Sequence, residues 1–172
     1  IVSGEALAVT GSGTIVDQNV GTSKSVSLGT LALADNTGSA LNYSLSSATF
    51  DVNQRPLNFS ATKAYDANTT INSGSVTLSN LVGVETLNTS GSITINSNNA
   101  GTFGTSDITV SSLSLTDGTG TASNYTLNGG TYSATITKKT IGLTGSKVYD
   151  ATTTASPSNL SLTGLVGSET LT

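Results

Sequence analysis

The sequence predicts an all-β protein, built from tandem small β-sandwich modules of immunoglobulin-like type. Three observations carry that prediction. Apolar and polar residues alternate at period two in short runs, as half-buried strands require. Turn-forming Asn, Asp and Gly interrupt these runs at short intervals. Whole blocks of sequence also recur about eighty residues apart, which marks a repeat architecture.

The alternating runs, in chain order, are Leu57-Asn58-Phe59, Val76-Thr77-Leu78, Ile93-Thr94-Ile95, Ile108-Thr109-Val110, Leu113-Ser114-Leu115, Tyr125-Thr126-Leu127 and Ile141-Gly142-Leu143. Turns fall at Asn98-Asn99, Asp117-Gly118 and Asn128-Gly129-Gly130, residues that accept positive φ or bond their own backbone. No window keeps apolar residues at i, i+3, i+4 and i+7 long enough for a helix; the stretch 66–73 holds one short turn at most. In Tyr125-Thr126-Leu127 a Tyr stands two residues before an inward apolar residue. That is the spacing of a tyrosine corner, and it points to the immunoglobulin-like arrangement. A packed strand tyrosine is the plainer reading.

Composition narrows the function classes. The 172 residues carry a net charge of −4, with 35% hydrophobic and 9% charged residues, and contain no Cys, His, Trp or Met. Disulfides, thiolate nucleophiles and zinc–sulfur sites are therefore excluded. So are imidazole bases and triads that depend on them. Six basic residues cannot build a nucleic-acid face. No run reaches the ~18 apolar residues of a membrane helix, and no segment reads as a signal peptide. The chain is too apolar, and too weakly charged, for disorder.

The repeat is explicit. Lys63-Ala64-Tyr65-Asp66-Ala67-Asn68-Thr69-Thr70 returns as Lys147-Val148-Tyr149-Asp150-Ala151-Thr152-Thr153-Thr154, at an offset of 84. Residues 78–87 return as 162–171 at the same offset. Residues 31–38 and 42–45 return as 113–120 and 124–127 at an offset of 82, and 19–22 as 99–102 at 80. The expected organisation is the later part of one copy at 1–56, a complete copy at 57–140 and the opening of a third at 141–172. An 80-residue period argues against a β-solenoid, whose rungs repeat at roughly 20–25 residues.

These blocks resemble the YDG-type repeats of very large bacterial surface and secreted adhesins, including haemagglutinin-like exoproteins exported by two-partner secretion. The resemblance rests on Lys-x-Tyr-Asp-Ala-x-Thr-Thr at 63–70 and 147–154, and on Gly-Leu-Val-Gly-x-Glu-Thr-Leu at 164–171. It rests further on Asn-x-Gly-Thr at 19–22 and 99–102, Asn-Tyr-x-Leu at 42–45 and 124–127, and the closing 135–139. Ala67 and Ala151 stand where the family often has Gly, and Asn80 replaces the first Gly of the second block. The resemblance implies β-rich modules of an extracellular stalk or fibre on the bacterial cell surface, without catalysis. A sister set of repeats in such proteins resembles a β-grasp, which makes that fold the second expectation.

The residues singled out as repeat-motif positions are Lys63, Tyr65, Asp66, Asn124, Tyr125, Lys147, Tyr149 and Asp150. Lys63 with a carboxyl group, helped by Glu85, is one route to an isopeptide crosslink; a packed Tyr and a turn-capping Asp are the simpler reading. The seven Asp residues stand singly, so no calcium loop is expected. Glu5, Glu85 and Glu169 share one repeat position, which suits architecture better than a glycosidase pair. Asn-x-Ser/Thr sites at 42, 58, 68, 88, 124 and 159 are candidate glycosylation acceptors. A regular Thr ladder, as ice binding would need, is absent.

The functional expectation is a structural repeat of an adhesin, neither enzyme nor cofactor protein, spacing an adhesive region from the cell or building a biofilm matrix. Its expected partners are neighbouring repeats of the same chain or identical chains, with strand complementation between modules, and host or matrix glycans; nucleic acid and membrane insertion are not expected. The alternative is a carbohydrate-binding module array.

Overall fold

The computed structural model describes residues 1–171. Strands and five short 3-10 turns make up its regular structure, and no α-helix occurs among the described residues. The chain forms two compact units. The first is Ile1–Arg55 with Ser123–Thr126; the second is Pro56–Ala122 and Leu127 onward.

The first unit contains β1 (Leu7–Thr10), β2 (Thr14–Ile15), β3 (Gly21–Ser27), β4 (Ala32–Asp35) and β5 (Thr49–Val52). β1 pairs with β4, and β3 lies between β2 and β5, all antiparallel. Its apolar residues stay partly open: among those described, Tyr125 is the one this unit buries. β6 (Arg55–Pro56) follows.

The segment expected to be a complete copy, 57–140, starts with β7 (Asn58–Ala64), β8 (Thr70–Asn72), β9 (Val76–Ser79) and β10 (Leu87–Ile95). It continues through β11 (Gly101–Gly104), β12 (Ile108–Thr109), β13 (Leu113–Asp117), β14 (Tyr125–Thr126) and β15 (Tyr132–Thr137). Two four-stranded sheets result. One has the order β11-β15-β7-β9; in the other β10 pairs with β8, β12 and β13. The 66–73 stretch is therefore partly strand, and its 3-10 turn lies later, at Ser73–Ser75. Ile71 draws the chain into strand there, because it faces Ile93 across the β8–β10 ladder.

Alternation decides which faces meet. Phe59 and Ala61 of β7 and Tyr132, Ala134 and Ile136 of β15 point into one core with Ile71, Ile93, Ile95, Ile108 and Leu113 of the other sheet. Ser60, Thr62 and Ser133 point outward. Phe59 and Tyr132 are cross-strand partners, and their rings stack at 4.3 Å, a contact worth about 0.5–1.5 kcal/mol beyond burial.

The centre of the first sheet is parallel. β15 runs alongside β7 over six registered pairs, from Tyr132–Phe59 to Thr137–Ala64. Parallel neighbours require a long crossover, and here nearly the whole copy is that crossover. Two antiparallel sheets are what an immunoglobulin-like module would provide; that arrangement does not account for this pair. All eight strands of the two sheets come from residues 58–137. Among the described residues β16 (Gly142–Gly145) and β17 (Leu160–Thr163) pair only with each other.

Candidate functional site: the repeated lysine loop and the tyrosine–glutamate contacts

The Lys-x-Tyr-Asp-Ala-x-Thr-Thr blocks fold into the same loop twice. Lys63 extends from the end of β7 back across the loop. Its Nζ donates to Asp66 Oδ1 at 2.6 Å, to the Asn68 carbonyl at 2.6 Å and to the Thr70 carbonyl at 2.9 Å. An ammonium has three protons, and the loop supplies an oxygen for each. Lys147 repeats the pattern with Asp150 Oδ1 at 2.9 Å and the Thr152 and Thr154 carbonyls at 2.8 and 2.9 Å. Each Asp closes the turn as well: Asp66 Oδ1 accepts the Asn68 amide and Asp150 Oδ1 the Thr152 amide, both at 3.0 Å. That is the Asx-turn geometry that makes Asp a turn residue.

The carboxyl within reach of Lys63 belongs to Asp66, three residues on. An amide there would clip only its own loop; the contact in the structure is an ion pair inside a satisfied oxygen cage. Lys63 is the more enclosed of the two lysines, with its side chain 11% exposed. Burial with full hydrogen bonding is the condition under which a lysine charge is tolerated away from water.

Ala67 and Ala151, the positions where glycine was the family expectation, have φ of 62° and 57°. The left-handed region costs a residue with a Cβ roughly 1–2 kcal/mol, and glycine avoids that cost at the expense of some chain entropy. Ala67→Gly is therefore expected to stabilise the complete copy by about 0.5–1 kcal/mol, read as a shift of its urea midpoint. Asn80 has φ of 70°, and Gly164, its counterpart, 84°. Asn is the commonest non-glycine substitute there, and its Nδ2 also donates to the Pro56 carbonyl at 2.7 Å.

The aspartates give the fold a pH dependence. The Lys63 ammonium, and then the Asn68 amide, hold the Asp66 carboxyl below its ordinary value. Lys147, with Thr152, does so for Asp150, and Lys24, with Asn19, for Asp17. A folded value below the unfolded one means that the stabilisation is complete above the unfolded value, about pH 3.9. It is lost as pH falls through the lower folded value. The urea midpoint is expected to stay level from pH 7 to about 5 and to decline below about pH 4. Asp66→Asn should flatten part of that decline; an unchanged acid limb contradicts the assignment.

The tyrosines of the motifs meet glutamates. Tyr43, in the Asn-Tyr block, donates its hydroxyl to Glu5 Oε2 and accepts the Val2 amide at 3.0 Å. Glu5 lies over Gly38, where a Cβ would sit 3.0 Å from its own Cβ; Glu85 covers Gly120 the same way, at 3.1 Å. Tyr65 donates its hydroxyl to Glu169 Oε1. Both tyrosine hydroxyls are held above their ordinary titration range, chiefly by these carboxylates. Tyr125, equivalent to Tyr43, is buried on β14. Asn124 accepts the Val20 amide at 2.9 Å and donates to Asn19 Oδ1 at 3.0 Å, within the first unit. Tyr149, the copy of Tyr65, is 90% exposed.

Lys63, Tyr65 and Asp66 thus come together in one loop, and Lys147 and Asp150 in another, while Asn124 and Tyr125 lie in a separate neighbourhood. Sequence reasoning missed the pairing of Glu with Tyr. The signal was present: Glu5, Glu85 and Gly38, Gly120 recur at nearly the offsets of the tyrosine blocks. Among the described residues no three Asp or Glu side chains gather as a metal site, and no helix is long and apolar enough to cross a membrane.

Comparison with known proteins identifies one family over part of the chain. No curated protein and no solved structure shows a significant match. Residues 53–136, spanning the lysine loop, both four-stranded sheets and most of β15, match the YDG domain family, so the chain carries a YDG domain there.

Proposed function

We propose that this chain is a section of a bacterial extracellular stalk or fibre, in which tandem small β modules space an adhesive region from the cell or build a matrix. The copies are read as beginning at 57 and 141. The observation that carries the proposal is the parallel pair β7 and β15. The first and last strands of the complete copy lie side by side and run the same way, so the chain arrives at one end of the sheet and departs at the other. Six residues at ~3.3 Å each advance the chain by about 20 Å along that axis. Antiparallel first and last strands would return it to the end where it began.

Further support comes from the chemistry. The repeated lysine loop turns its polar groups on itself, and the stacked Phe59 and Tyr132 are spent on the core. Length by repetition, with each copy touching mainly its neighbours, is the logic of linear arrays. A two-layer module with a parallel central pair fits this role whether its closest kin is immunoglobulin-like or β-grasp-like. Strand complementation between modules would use an edge strand, such as β9 or β11 of the first sheet or β8, β12 or β13 of the second.

Small-angle scattering of chains with two, four and six copies tests the proposal. The maximum dimension should rise linearly with copy number. Dimensions that grow as for a compact globule overturn it, and specific retention on a glycan array would favour the carbohydrate-binding alternative.

A further inference from the structure

Beside Tyr65 lies a groove of about 510 Å3 with two kinds of wall. One is made by Tyr65, Ala100, Lys138, Lys139 and Ile141, and the other by residues 164–171. The second wall is the Leu-Val-Gly-x-Glu-Thr block, which in sequence opens the next copy. The same block stands at three places: Ile1-Val2-Ser3-Gly4-Glu5, Leu81-Val82-Gly83-Val84-Glu85 and Leu165-Val166-Gly167-Ser168-Glu169. The third lies against the tyrosine of a Lys-x-Tyr-Asp block, Tyr65. There Leu165 and Val166 are half-buried.

The glutamates differ in their partners. Glu5 receives Tyr43, from the Asn-Tyr block that follows it. Glu169 receives Tyr65, from the copy that precedes it. A carboxylate has two oxygens and about four acceptor sites, so the two claims are compatible on one side chain.

We propose that the face around Tyr65 is a docking surface for the Leu-Val-Gly-x-Glu-Thr block of the following copy, which walls the groove from the other side, with the Tyr65–Glu169 hydrogen bond as its specific contact. Apolar Leu165 and Val166 line the groove with Tyr65 and Ala100, while Lys138 and Lys139 bring positive charge to the side that receives an acidic block. This proposal rests on the tandem reading of the sequence; it requires no adhesive role. In an array the contact would fix each copy to the one before it, and the glutamate would answer to both.

Hydrogen exchange of the whole chain tests the docking. In Tyr65→Phe and in Glu169→Ala, amides of 160–171 should exchange about tenfold faster, the loss of one hydrogen bond to a charged group. The double variant should exchange no faster than the worse single one, as expected for a single shared contact. Tyr149→Phe should change nothing, and the amides of Ile93 and Ile95 should keep wild-type protection in every variant. Unchanged exchange of 160–171 in Tyr65→Phe, or strictly additive effects, overturns the docking surface. That outcome leaves the linear length law untouched, and failure of the length law with coupled exchange intact would remove the spacer reading alone.

Discussion

Gly91→Ala is expected to destabilise the complete copy by about 2–4 kcal/mol. Gly91 has φ of 83°, and a Cβ there would stand 1.9 Å from the Ser112 carbonyl oxygen. Backbone must move, because the obstacle is not a flexible side-chain end. The position matters because β10 changes partners at it. Up to Gly91 the strand pairs with β13; from Ser92 onward it pairs with β8 and then β12. The Ser92 amide still bonds the Ser112 carbonyl at 3.2 Å, and an alanine would push these groups apart. The left-handed penalty of about 1–2 kcal/mol adds to one or two lost hydrogen bonds at about 1 kcal/mol each. Gly11 repeats the arrangement, with φ of 81° and a Cβ 2.0 Å from the Thr30 carbonyl oxygen. Urea unfolding followed by tyrosine fluorescence measures the effect, and a loss below about 1 kcal/mol would show that the backbone relaxes around the methyl group.

Ile93→Ala is the second large effect, at about 2–5 kcal/mol. Ile93 is fully buried and faces Ile71 across the ladder while touching the core of the opposite sheet. A small domain of this size has about 5–15 kcal/mol in total, so the loss is a large share of it. Ile93→Val should cost only about 0.5–1.5 kcal/mol. Exposed Val84→Ala, at 96% exposure, should lie within about 0.5 kcal/mol of wild type. Equal losses at Ile93 and Val84 would contradict the placement of the core.

The class of fold was readable because burial follows local alternation. Leu57-Asn58-Phe59 and Ile93-Thr94-Ile95 bury their apolar members and leave the polar one more open, and Leu113-Ser114-Leu115 buries Leu113, half-buries Leu115 and exposes Ser114. In Ile141-Gly142-Leu143 the strand begins at Gly142, and Leu143 is 64% exposed, because among the described residues β16 has only β17 as a partner. The choice of partners was not readable. Nothing in Tyr132-Ser133-Ala134 says that it lies parallel to Phe59-Ser60-Ala61, since period two is the same for either direction. At the candidate site, the Lys-x-Tyr-Asp pattern located the loop and its Asp turn. The two backbone carbonyls that complete the lysine cage depend on loop closure, which residue types do not disclose. The tyrosine–glutamate contacts span 38 and 104 residues; they needed the register of the fold.

The parallel registry of β7 and β15 has a mechanical consequence. Tension applied at Leu57 and Lys138 would run along the two strands in opposite senses, sliding one past the other. The evenly spaced bonds of a parallel ladder then share the load and rupture together, rather than opening one by one from an end. A tether strung from such copies resists stretching through six paired positions at once in each link.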